Sequence, residues 1–149
     1  LAMWLVTRLP RRVTYFIASL LAEINFLTNR HSRRGIYANH AHVLPPDTGR
    51  LERWRIARAA FRNFAYSVID FFRIPEMNRS NMDQFISEMT GWEHLQATMD
   101  AGVGGILITV HMGSWELGGV YLGLRGLPIT TVALPHKDHR IDQIYLDNR

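Results

Sequence analysis

The 149-residue chain has no cysteine. Disulfide scaffolds, thiolate zinc sites and cysteine nucleophiles are excluded together. A bilayer-spanning apolar run is missing too. The apolar stretch at 13–27 covers roughly 22 Å as helix at about 1.5 Å per residue. A hydrocarbon core is about 30 Å thick, and Glu23 interrupts the stretch. No small-residue cleavage site of a signal peptide follows it. Internal repeats and low-complexity tracts are absent. The close histidine pairs, His40/His42 and His136/His139, lack a third ligand at a zinc spacing. They read as surface or loop residues. Carboxylates fall short of cations, 13 against 17, which leaves a formal charge of +4. Most of the excess is arginine in the first half. It suits a phospholipid surface, an acidic carrier or nucleic acid without choosing among them. No nucleic-acid motif accompanies it.

What is present describes a folded chain. Hydrophobic residues make up 47% and charged residues 20%, which excludes a disordered tail. The length suits one domain. Residues 13–27 predict a helix with an apolar row of Val13, Phe16, Ile17, Leu20, Leu21, Ile24 and Leu27. Arg8, Arg11 and Arg12 precede it, and Arg30, Arg33 and Arg34 follow. That pattern describes either an interfacial membrane helix or a core helix with solvated ends. Residues 35–49 read as irregular, with a turn at Pro45-Pro46-Asp47. Helix resumes at Arg50 and runs to Arg73, its apolar face being Trp54, Ala57, Phe61, Phe64, Ala65, Val68 and Phe72. Pro75 closes it. The arginines at 50, 53, 55, 58 and 62 read as a solvated face.

From residue 83 the rhythm changes. Gln84 to Met89 reads as a short strand, and Gly91-Trp92 opens a helix to Asp100. Val103 to Val110 and Ile129 to Leu134 are short β-branched apolar runs, the mark of fully buried strands. Ser114 to Leu124 and Asp138 to Arg149 read as helices. The expected fold class is therefore α/β: N-terminal helices, then a strand–helix–strand portion of a mainly parallel sheet. The expected organisation is one partial domain, a helical, membrane-proximal part over 1–80 and the start of an α/β core over 81–149.

The stretch that carries chemistry is Ile106-Leu-Ile-Thr-Val-His111-Met-Gly-Ser-Trp-Glu116-Leu. Gly113 permits a sharp turn and Ser114 is a good helix N-cap. Glu116 falls in the first helical turn, where the helix dipole favours its charge. A carboxylate there can accept the imidazole Nδ1–H and fix its tautomer. The free Nε2 can then take a proton from an alcohol. A satisfied structural pair has the same spacing, so the spacing alone leaves both readings open.

The run GGILITVHMGSWELGG, a short helix and GLPITTVALP resemble the lipid A biosynthesis acyltransferase family. That family lies within the lysophospholipid acyltransferases that carry a His-x4-Asp/Glu motif. Met112-Gly113-Ser114 stands where relatives often have Phe-Gly-Asn. The helical half is similar as well, with Asn39 before a Pro turn and an Arg-rich helix ending near Phe61-Arg62-Asn63-Phe64. The resemblance implies a glycerol-3-phosphate acyltransferase-like fold, of which this chain would be the N-terminal half. It implies His111 as general base, Glu116 as its partner, and Gly113, Ser114 and Trp115 around the substrate. Many relatives carry Arg before the Pro after the second run, where this chain has Ala133-Leu134-Pro135. Lys137 or Arg140 would then supply the cation, and Arg149 matches an arginine that opens a further block in relatives. The implied donor is an acyl carrier protein or CoA thioester. The implied acceptor is a hydroxyl of a membrane glycolipid or phospholipid at the cytoplasmic face of a bacterial inner membrane. No metal, cofactor or nucleic acid is implied. Rival readings are a non-catalytic basic membrane-binding module, an inactive fragment, and a thioester hydrolase.

Overall fold

The computed structural model describes residues 2–148. Among them are seven α-helices: α1 (Ala2–Arg8), α2 (Arg11–Thr28), α3 (Arg30–Val43), α4 (Arg50–Phe72), α5 (Trp92–Asp100), α6 (Trp115–Leu124) and α7 (His139–Asp147). The chain divides into two compact units, Leu1–Arg73 and Ile74–Arg149.

The first unit is built on an antiparallel seam between α2 and α4. Tyr15 meets Asp70, Ser19 meets Tyr66 and Glu23 meets Arg58. Rising numbers on one helix meet falling numbers on the other, so the helices run in opposite directions. α2 buries Thr14, Ala18, Ala22 and Phe26, one residue per turn. Three of the four are small, which lets the backbones approach. Phe26 ends the row in a cluster with Ala57 and Phe61, closed on one side by Ile36 and Tyr37 of α3. Its ring meets Trp54 and Phe61 edge-on at 5.7 and 5.3 Å. Beside the small row runs a polar one. The Tyr15 hydroxyl donates to Asp70 at 2.5 Å, Arg11 donates to the same carboxylate oxygen at 3.1 Å, and Tyr15 stacks on Tyr66 at 4.6 Å. Arg58 donates to Glu23 at 2.6 Å. Burial, together with the bond to Asp70, pushes the Tyr15 hydroxyl above the usual tyrosine range.

The helix ends in this unit have identifiable causes. Asn29 closes α2 and opens α3: its N–H donates to the Asn25 carbonyl, and its side chain accepts from the Ser32 N–H. The Arg33 guanidinium covers the Phe26 and Leu27 carbonyls, a cation at the negative end of α2. Arg73 does the same for α1, donating to the Val6 and Leu9 carbonyls. Residues 35–43, expected to be irregular, are helical as the second part of α3. α3 has no fully buried residue. Its half-buried Ile36 and Tyr37 pack on the Phe26 cluster, and the Pro45-Pro46 breaker falls after the helix, not within it.

The α/β expectation is overturned. Among the described residues there is no strand; 84–89 opens in a 3₁₀ turn, Met82–Gln84, and neither 103–110 nor 129–134 forms a ladder. The last two runs have no regular structure and lie uncovered, with Ile108 86% exposed and Val132 fully exposed. The physical reason is that a strand exists only when a neighbour satisfies its N–H and C=O groups. A β-branched apolar run states a preference for being covered; it does not supply the cover. The parallel-sheet, glycerol-3-phosphate acyltransferase-like arrangement is therefore not what these residues adopt. The second unit is instead three short α-helices and two 3₁₀ turns, Ile74–Glu76 and Met82–Gln84, on a non-repetitive frame. Its buried apolar residues include Ile74, Met77, Leu117, Tyr121 and Leu122.

Candidate active site

His111 follows the apolar run 103–110 and precedes α6 by four residues. Its φ is +51°, the one positive value at a non-glycine among the described residues. Gly113 follows at +66°. Two positive-φ residues two apart lie between the apolar run and α6. Gly113 adopts that geometry freely, while His111 holds a Cβ there at a cost of about 1–2 kcal/mol. Non-glycine residues in this region cluster at functional sites.

The His111 ring is exposed and lies against Trp115, with centroids 4.9 Å apart and planes 37° from parallel. Trp115 is the first residue of α6 and half-buried. Ser114 occupies the N-cap position, but its hydroxyl does not close a capping bond. Its carbonyl accepts from the Leu117 N–H at 3.1 Å. Glu116 sits in the first turn of α6, half-buried, at the positive end of that helix. The turn thus gathers His111, Gly113, Ser114, Trp115 and Glu116 around one helix start.

Lys137 and Arg140 flank the start of α7 and are exposed. Asp138 caps α7 by accepting from the Arg140 N–H at 2.8 Å. His136 stacks on Tyr145 at 4.3 Å, and its N–H donates to Asp142. Neither Lys137 nor Arg140 is drawn to the His111 turn by a hydrogen bond or ion pair. Arg149 lies outside the described residues. No group of three His, Asp or Glu side chains that could hold a metal occurs among the described residues.

One arrangement escaped the sequence reading. The buried Tyr121 of α6 donates its hydroxyl to Asp83 at 3.1 Å. Arg125 donates to that hydroxyl at 2.7 Å and to Asp83 at 3.0 Å. Its guanidinium also stacks over the Tyr121 and Trp92 rings. The Tyr121 hydroxyl and Asp83 push the Arg125 guanidinium above its ordinary range. The network anchors the C-terminal half of α6 and so fixes the helix whose N-terminus carries Trp115 and Glu116. Tyr121 and Arg125 are one helical turn apart, a readable signal. Asp83 lies 38 residues earlier and left none.

The comparisons with known proteins settle the family. The family described as bacterial lipid A biosynthesis acyltransferase matches residues 1–149. This chain belongs to that family. Among its curated relatives is the phosphatidylinositol mannoside acyltransferase of Mycobacterium tuberculosis (strain CDC 1551 / Oshkosh), 33% identical over 81 residues, covering 54% of this chain and 26% of that protein. The protein of the same description from Mycolicibacterium smegmatis is 29% identical over 94 residues, covering 63% of this chain and 31% of the relative. No solved structure matches this acyltransferase-family chain significantly.

Proposed function

We propose that the chain carries the base of an acyl transfer from a thioester to a lipid hydroxyl. The observation that carries the reading is the His111 turn: an exposed imidazole held at positive φ beside Trp115, just before a helix whose first turn holds Glu116. In the reaction, the His111 Nε2 takes the proton of the acceptor hydroxyl as its oxygen attacks the thioester carbonyl. The tetrahedral adduct collapses to the ester, the C–S bond breaks, and the imidazolium returns the proton to the leaving thiolate. Glu116 orients the ring through Nδ1 and stabilises its charged form. No acyl-enzyme forms, so the absence of cysteine is no obstacle.

Gly113, Ser114 and Trp115 shape the wall beside the reacting atoms. Lys137, Arg140 and Arg149 are the cations offered to substrate phosphate. The donor is an acyl carrier protein or CoA thioester. The acceptor is a membrane glycolipid or phospholipid, such as a lipid A precursor or a mannosylated phosphatidylinositol of the kind in the relatives' names. Residues 1–80 are the membrane-proximal part and 81–149 carry the catalytic residues. The place of action is the cytoplasmic face of a bacterial inner membrane, with peripheral or monotopic attachment.

The test incubates the full reading frame containing this chain with acyl carrier protein thioester and a total lipid extract. Products are read by mass spectrometry. Loss of a positioned base costs on the order of 10²–10⁴-fold, so His111→Ala and His111→Gly should both lose transfer to that degree, and Glu116→Ala should weaken it strongly. The glycine variant accepts φ +51° without strain and isolates the imidazole from the turn. Wild-type turnover in His111→Gly would overturn the mechanism. Free fatty acid without acylated lipid would instead identify a thioester hydrolase. Unchanged thioester and lipids with every variant would favour the non-catalytic membrane-binding reading.

A further inference from the structure

α2 is amphipathic in the inverted sense. Apart from Phe26, its small and polar side chains face α4 and its large apolar ones face outward. Phe16, Leu21, Ile24 and Leu27 are each about three-fifths exposed, at 64, 61, 58 and 66%, and Val13, Ile17 and Leu20 are exposed beside them. Positions turn by about 100° per residue, so this row lies opposite Thr14, Ala18, Ala22 and Phe26. Seven apolar side chains on one open helix face exceed what an isolated surface leaves to water. No helix among the described residues is long and apolar enough to cross a membrane.

We propose that this outer face of α2 docks flat on an anionic bilayer surface, its axis in the plane of the headgroups. Charge selects that occupant. Residues 1–43 hold six arginines and one carboxylate, Glu23, and Glu23 is already paired with Arg58 across the seam. Arg11 is engaged by Asp70 and Arg33 by the α2 carbonyls. Arg12, Arg30 and Arg34 are exposed beyond the two ends of the apolar row, where they meet phosphates while the row enters the acyl boundary. Trp4 of α1 is exposed with Arg8 over its ring, a pairing suited to the polar–apolar boundary. The inference rests on the membrane-lipid reading above for the choice of surface. It adds the face, the orientation and the lipid charge.

Flotation with vesicles tests it: phosphatidylcholine alone, and phosphatidylcholine with about one-third phosphatidylglycerol. The chain should bind the anionic vesicles, and more weakly as salt rises. Arg12/Arg30/Arg34→Gln should weaken that binding about 100-fold, at about fivefold per charge. Leu20→Ser with Ile24→Ser should weaken it at least about tenfold. These positions are exposed, so the variants should keep the wild-type helical signal and melting temperature. With no native cysteine, single labels are clean. Environment-sensitive labels at Phe16→Cys and Leu27→Cys, the two ends of the row, should report the same shallow depth. A label at Asp47→Cys should stay in water. Unequal depths would overturn the flat orientation. Equal binding by all variants, or none by wild type, would overturn the site. A concentration-dependent dimer that shields the Leu27→Cys label without lipid would assign the face to a second copy. Binding is read without transfer, so a chain that transfers but does not bind, or binds but does not transfer, separates this inference from the proposed activity.

Discussion

The two units handle apolar residues in opposite ways. In the first, the α2 residues that face α4 are mainly small or polar, and the buried rings are Phe26, Phe61 and Phe71, with Phe26 deepest at 1% exposure. Polar pairs with long side chains line the same seam. In the second, the most apolar and β-branched segments, 103–110 and 129–134, lie open, while cohesion comes from α6 and the Asp83–Tyr121–Arg125 network. Hydrophobicity alone therefore does not locate the interior of this chain, since its most apolar runs stand outside it. Close approach and pairing do. The largest expected effect follows from that contrast. Phe26→Ala should cost about 3–5 kcal/mol, since it opens a cavity where Trp54 and Phe61 meet the ring edge-on. Chemical denaturation followed by tryptophan fluorescence measures it, with Trp54 beside the lost ring. A cost below about 1 kcal/mol would dissolve the distinction between the seam and the open runs.

The same contrast explains what was legible beforehand. The helices over 50–72, 92–100, 115–124 and 139–147 follow from spacing and from Pro and Gly punctuation, and the structure places them there. The seven-residue row on α2 was legible as a row, but periodicity cannot say which side of a helix meets a neighbour. Ala18 and Ala22 carry little hydrophobic weight, yet they permit the contact that Leu20 and Leu21 would obstruct. On α4 the expected face was half right: Ala57 and Phe61 are buried, whereas Phe64 is mostly exposed. The candidate site was legible because its residues are contiguous, from His111 to Glu116. Its two conformational facts, the positive φ of His111 and the indole beneath the imidazole, needed coordinates.

A smaller effect sharpens the seam. Tyr15 keeps its proton in the fold above the usual tyrosine range, first through burial and then through the bond to Asp70. A pKa raised on folding contributes stability in full below the unfolded value, about pH 10 for tyrosine, and loses it as pH rises through the folded one. The protein should thus show a stability decline above about pH 10 that Tyr15→Phe lessens. At neutral pH that variant should lose on the order of 1 kcal/mol for the missing hydrogen bond. Thermal melts of both proteins across alkaline pH give the difference directly. Parallel curves would mean that the Tyr15–Asp70 bond does not support the α2–α4 seam.

The smallest effect is expected where the sequence looks most like a core. Ile108 stands 86% exposed in the middle of the apolar run before His111, and Val132 is fully exposed in the second run. Removing apolar surface that water already reaches forfeits almost no transfer free energy. Ile108→Ser and Val132→Ser should each leave stability within about 0.5 kcal/mol of wild type. The serines also lower β-propensity, so the pair tests whether any latent strand pairing contributes. Denaturation midpoints set against Phe26→Ala place all three variants on one scale. A loss of about 2 kcal/mol at either position would match a side chain removed from water. It would mean that these runs are covered in solution, and that the two units bury their apolar residues by the same rule after all.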